Sequence, residues 1–129
     1  MDIEEIKRIC MDACYRVRRE LYKGYLEKVY QNALVYELQQ AGLEVEVEKD
    51  LDVFYRGISV GKYRLDLLVE GCFVIEIKAV KVLDVSHEIQ LVNYLNALKL
   101  DYGMLVNFGD DKLDIRHKSR NYIPQGFHK

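Results

Sequence analysis

The sequence has three cysteines, one proline, at position 124, and no apolar run that approaches the length of a membrane span. Cys10, Cys14 and Cys72 are an odd number and form no C-x-x-C pair, which argues against a metal or redox site. Cys10 and Cys14 lie four apart in a helical pattern and share a face, so they are expected as buried, reduced thiols. The opening residues, MDIEEIKR, carry no signal-peptide pattern, and the expected location is cytoplasmic. No low-complexity tract or internal repeat is present. Nineteen basic residues against 21 acidic ones give a net charge of −2, so the chain is no polycation. Composition alone does not suggest a nucleic-acid binder. The length, 129 residues, suits a single domain over 1–129, and the apolar half of the sequence suffices for its core.

Ile3, Ile6, Cys10, Ala13 and Val17 recur at spacings of three and four, which predicts an amphipathic helix from near Asp2 to Leu21. Tyr22-Lys23-Gly24 breaks that pattern. A second helix follows, with Leu26, Val29, Tyr30, Ala33, Leu34, Leu38 and Ala41 on one stripe and Gly42 at the left-handed C-cap position. The period then becomes two. Leu43, Val45 and Val47 alternate with Glu44, Glu46 and Glu48, a strand that Leu51 to Tyr55 extends. Arg56-Gly57 and Gly61 punctuate. Strands are predicted over Lys62 to Val69 and Cys72 to Val80, joined at Glu70-Gly71, and a helix over 86–99. A buried strand follows from Tyr102 to Phe108, and an edge strand from Lys112 to Lys118. The order α-α-β-β-β-α-β-β predicts an α/β fold, a mixed central sheet flanked by helices.

The two middle strands carry the anomaly. Their odd positions are apolar, which leaves Arg64, Asp66, Glu76 and Lys78 on the even positions. A two-residue Glu70-Gly71 loop would turn Asp66 away from Glu76. A three-residue loop, pairing Leu68 with Cys72 and placing Gly71 in a left-handed bulge, would put all four on one face. The apolar pattern selects the second register, because a one-residue slip buries the charges of one strand. Hard divalent cations take oxygen ligands and keep several waters. Asp66, Glu76 and the backbone carbonyl of Ile77 form such a donor set, and Lys78 stands where it could orient a water or stabilise developing charge. A cross-strand ion pair on a solvated face explains the same alternation.

Asp66 followed by Glu76-Ile77-Lys78 resembles the D…(D/E)-x-K signature of PD-(D/E)XK nucleases. The chain is similar in particular to the small bacterial and archaeal set called GxxExxY proteins. That motif is found at Gly24-Tyr25-Leu26-Glu27-Lys28-Val29-Tyr30. Tyr36-Glu37-Leu38, residues 63–69, residues 76–80, His87-Glu88-Ile89-Gln90-Leu91 with Tyr94-Leu95, and Asn107-Phe108-Gly109 extend the likeness over roughly 13 to 123. Lys23 and Arg18 depart from it, standing where members often show proline and histidine. The resemblance implies a PD-(D/E)XK nuclease-like (restriction-endonuclease-like) fold with Mg²⁺ or Mn²⁺ as cofactor. It also implies hydrolysis of phosphodiester bonds in nucleic acid, DNA being the expected partner. Asp66 and Glu76 would be metal ligands, Glu27 a direct or water-mediated one, Lys78 the catalytic amine and Gln90 a supporting catalytic contact.

Plainer roles stand beside these. Glu27 complements a helix dipole as a first-turn glutamate, and Glu37 also projects into the apolar stripe. Gln90 and Tyr94, four apart, suit a polar helix surface. His87 suits a helix cap, and Arg64 suits either a phosphate or an ion pair with Glu76. Two basic groups could neutralise a nucleic-acid backbone or simply be solvated. One comprises Arg16, Arg18, Arg19, Lys23 and Lys28, the other Lys112, Arg116, His117, Lys118 and Arg120. A nuclease-like scaffold that binds nucleic acid or a protein partner without turnover is the alternative to an enzyme.

Overall fold

The computed structural model describes residues 1–123; the predicted single domain's last six residues, from Pro124, lie outside them. Helix α1 (Ile3–Glu20) starts at Asp2, whose side chain accepts the Glu5 amide at 2.9 Å. It buries Ile6, Cys10, Ala13, Cys14 and Val17, the stripe expected from their spacing. All three cysteines are free thiols, and burial pushes that of Cys10 up to about 12. Helix α2 (Glu27–Gln40) ends before Gly42, which takes a left-handed φ of 85°. Its buried face is narrower than predicted. Tyr30, Leu34 and Leu38 pack inward, while Leu26, Val29 and Ala41 stay exposed.

The five strands are β1 (Val45–Tyr55), β2 (Ile58–Val69), β3 (Phe73–Lys78), β4 (Tyr102–Asn107) and β5 (Asp114–Ser119), adjacent in that order. Only β3 and β4 run parallel, and helix α3 (Val85–Leu98) makes the crossover between them. Helices α1 and α2 cover one face with Leu67, Val69, Phe73, Ile75 and Ile77. Helix α3 covers the other with Leu65, Leu68, Val74 and Leu105. β2 starts four residues earlier than predicted. With β1 it forms a long hairpin, turning at Arg56-Gly57, that runs well past the end of β3. Gly61 does not end a strand; it lies where the β1–β2 register shifts by one residue.

Two features of the pairing place the site. The β2–β3 ladder pairs Val69 with Phe73 and Leu67 with Ile75, so Leu68 faces Val74 rather than Cys72 as predicted. The slip is two residues, which preserves the face of every side chain on β3. The turn differs from the expected bulge because Glu70 (φ 52°) and Gly71 (φ 66°) are both left-handed, as in a type I′ turn.

The second feature is a break in the pleat. Strict alternation would put Leu65 and Leu67 on one face, yet they belong to opposite layers. β1 turns over at the same level, since Val45 packs toward α1 and α2 but Leu51 toward α3. Between them Glu48 adopts φ 53°, and Glu48–Asp66 is missing from a ladder that is regular on both sides. Both strands therefore flip at Asp66.

Candidate metal centre

The β2–β3 ladder ends at Leu67↔Ile75, and the next polar groups are bridged by side chains. Glu76 Oε2 accepts the Asp66 amide at 2.7 Å, and Asp66 Oδ2 accepts the Ile77 amide at 2.7 Å. Each carboxylate thus holds the other strand's backbone through one oxygen and keeps its second oxygen for another ligand. The N–H and C=O of one strand residue point to the same side. Since the Ile77 amide faces Asp66, its carbonyl faces the same gap. The Lys78 carbonyl points the other way and accepts the Phe108 amide at 2.8 Å.

Electrostatics mark the gap. Glu76 is only 3% exposed. Burial, then the charge of Asp66, pushes its pKa up to about 8. Burial also raises Asp66, against the pull of the Ile77 amide and of Lys78. Glu27 is raised first by partial loss of water and second by Asp66. The acidic side chain at the start of α2 therefore senses the pair on the sheet. The Lys78 ammonium donates to Gln90 Oε1 of α3 at 3.3 Å. Tyr94, one turn beyond Gln90, is buried, and burial with the charges of Glu76 and Asp66 raises it to about 12. The fold brings Asp66, Glu76, Lys78, Gln90 and the Ile77 backbone together, with Glu27 at the margin.

The turn before α2 explains why glycine and tyrosine flank Glu27. Gly24 has φ 117°, a backbone state that a side chain would strain. The Tyr30 hydroxyl donates to the Tyr22 carbonyl at 2.6 Å and accepts the Tyr25 amide at 3.1 Å. The Tyr30 ring stacks on Phe108 at 4.8 Å. Lys28 pairs with Glu48 at the pleat break. The first turn of α2 is thus pinned to the strand level that carries Asp66. On the far side of β3, buried Asn107 grips residue 80: its Oδ1 accepts the Val80 amide at 3.0 Å and its Nδ2 donates to the Val80 carbonyl at 2.8 Å. Gly109 fits beside it because a Cβ there would lie 2.4 Å from the Val80 oxygen.

The other polar residues singled out in the sequence take plainer roles. Arg64 does not join the site; it pairs with Asp50 at 2.8 Å on the exposed hairpin, because the pleat flips between it and Asp66. His87 caps α3, accepting the Asp84 amide at 3.1 Å. Glu37 pairs with Arg16 at 2.8 Å. The basic groups are largely neutralised. Arg18 tethers the carbonyls of Phe108 and Asp110, Lys23 meets Asp111, Lys118 and Arg116 meet buried Glu88, and Arg120 meets Asp101. Sequence reasoning missed Glu88 and Gln31, both buried, and undervalued Tyr94. The only signal for Gln31 was a polar residue one turn after Glu27, inside an apolar stripe.

A family model of the PD-(D/E)XK nuclease superfamily matches residues 4–119. The chain belongs to that superfamily. No curated protein matches it. The fold resembles the crystal structure of SSO0001, with a TM-score of 0.60 and 21% identity over 74% of this chain and 50% of that one. The chain therefore spans about half the length of that protein, and the likeness is one of fold. Members of this superfamily generally use divalent metal ions. The donor set in this PD-(D/E)XK domain suits one: a buried and a half-buried carboxylate with a free oxygen each and one carbonyl, all hard oxygen donors. Among the described residues no three Asp, Glu, His or Cys side chains cluster tightly enough to cage an ion unaided.

Proposed function

We infer that this chain is a divalent-metal-dependent nuclease hydrolysing phosphodiester bonds, with DNA as its substrate. The observation that carries this is the interlocked Asp66–Glu76 pair, a half-buried and a buried carboxylate at the break in the sheet of a PD-(D/E)XK domain. Asp66, Glu76 and the Ile77 carbonyl would hold Mg²⁺ or Mn²⁺, with Glu27 contributing directly or through water. A cation held there supplies an acidified water and neutralises charge on the phosphate. Lys78 carries its positive charge beside the reacting phosphate, where it stabilises the charge that develops as the bond breaks. Gln90 fixes the ammonium of Lys78 from α3. The pairing at Glu76 also keeps β2 and β3 pried apart, so the Ile77 carbonyl stays free of ladder bonds.

The Tyr30 hydroxyl, bridging Tyr22 and Tyr25 on either side of Gly24, supports placing the chain in the GxxExxY set. We treat residues 1–129 as one domain. Its free cysteines suit the reducing cytoplasm. Among the described residues no helix is long and apolar enough to cross a membrane. One observation favours a binding module without turnover: the three acidic side chains do not form a tight cluster. Cleavage of single-stranded, duplex and branched DNA and RNA in Mg²⁺ or Mn²⁺, with Glu76→Ala as control, decides between the two. Cleavage by the wild type alone supports the enzyme; none on any substrate supports the module.

A further inference from the structure

Beside the metal centre, a groove of about 900 Å³ runs between the β1–β2 hairpin and α3. Its two walls differ in chemistry. The hairpin wall offers Phe54 and Tyr63, with 64% and 50% of their surfaces exposed. The helix wall offers Ser86, Gln90, Asn93 and Ala97, which recur at four, three and four and so share one face of α3. Tyr94 closes the inner end, its ring 5.7 Å from that of Tyr63. Both aromatics of the hairpin arm keep half or more of their surface open, and burying it would be favourable for whatever flat ligand enters.

The charge of this groove is as telling as its shape. The chain carries 21 acidic residues, yet none lines the groove, and its one charged lining residue is Lys99. Aromatic faces, amides and hydroxyls without carboxylates match a nucleobase, which has a π-face and an edge of donors and acceptors. The groove is continuous with the metal centre, since Gln90 lines it and also holds Lys78. A duplex keeps its bases stacked and cannot present a free face to Tyr63; an unpaired strand can.

We propose that this groove binds unpaired bases next to the scissile phosphate, Tyr63 and Phe54 stacking on them while Asn93 and the free amide of Gln90 meet their edges, so that the substrate is single-stranded or frayed nucleic acid. This deepens the nuclease reading and rests on it for the position of the phosphate. The break in the pleat at Asp66 serves both sites, because it turns the odd residues of the hairpin, Val53 and Tyr63 among them, toward α3.

The test is oligonucleotide binding in Ca²⁺, followed by anisotropy and by a fluorescent adenine analogue in the strand. The wild-type protein should prefer the single strand to a blunt duplex of the same sequence and should change the analogue's emission. Tyr63→Ala should weaken single-strand binding about 5- to 100-fold, and Tyr63→Phe should restore it. Tyr63→Ala should leave the Mn²⁺-induced rise in melting temperature intact. Single-strand binding unchanged in Tyr63→Ala, or a preference for duplex, overturns the proposal while leaving the metal centre standing. Base stacking without any Mn²⁺ effect on wild-type melting upholds the groove and sinks the nuclease reading instead.

Discussion

Replacing Glu76 by glutamine should stabilise the metal-free protein at alkaline pH. Glutamine keeps an acceptor for the Asp66 amide and removes the buried charge. In the folded protein Glu76 titrates near 8, against an ordinary value of 4.5. A carboxyl raised in this way favours folding while it is protonated. Its contribution is complete below pH 4.5 and is lost as pH rises through 8. Across that window wild-type stability should fall by roughly 1.4 kcal/mol per pH unit on account of this group, on the order of 5 kcal/mol in all. For a domain of this size that is a drop in Tm of about 15 °C. Asp66 and Glu27 are raised as well, so the difference between the two melting curves reads Glu76 together with its repulsion of Asp66. The assay is thermal melting in EDTA from pH 5 to 9, repeated in saturating Mn²⁺. The wild-type curve should slope down and flatten when Mn²⁺ is added; the Glu76→Gln curve should slope less and ignore the metal. Parallel curves for the two proteins would show that Glu76 ionises freely in the fold and would refute the reasoning.

Lys78→Ala should retain the Mn²⁺-dependent rise in melting temperature and lose cleavage by about 10²–10³-fold, since the amine acts on developing charge rather than on the ion; rate and melting measured together check this. Tyr30→Phe removes the bridge between Tyr22 and Tyr25. It should cost about 1–3 kcal/mol in denaturant unfolding and slow cleavage through the displaced Glu27. Gly109→Ala drives a methyl against the Val80 backbone and should lower stability by about 2 kcal/mol or more, visible as an earlier urea midpoint.

The parts of the fold legible in the sequence are those where period and punctuation agree. α1, α2 and α3 were located by apolar spacing and by Gly42, and β4 by its apolar run. The convergence of Asp66, Glu76 and Lys78 was legible because the slip in the β2–β3 register was an even number of residues. Arg64 was misplaced for the opposite reason. Period-two reasoning assumes an unbroken pleat, and nothing in the composition of 44–48 announces that Glu48 takes a left-handed φ. The partners of the basic groups were equally hidden, because the backbone carbonyls that hold Arg18 and the acids that pair with Lys23 and Lys118 are distant in sequence. The length of the hairpin escaped detection because Phe54, Ile58 and Val60 are apolar yet exposed.

Crystals soaked in Mn²⁺ would reveal whether the gap between β2 and β3 holds a catalytic cation. One anomalous peak is expected, bonded to the Asp66 and Glu76 carboxylates and the Ile77 carbonyl and absent from Glu76→Gln crystals soaked in the same way. Mn²⁺ bound elsewhere, or no peak at Asp66 and Glu76 at saturating metal, would contradict that expectation.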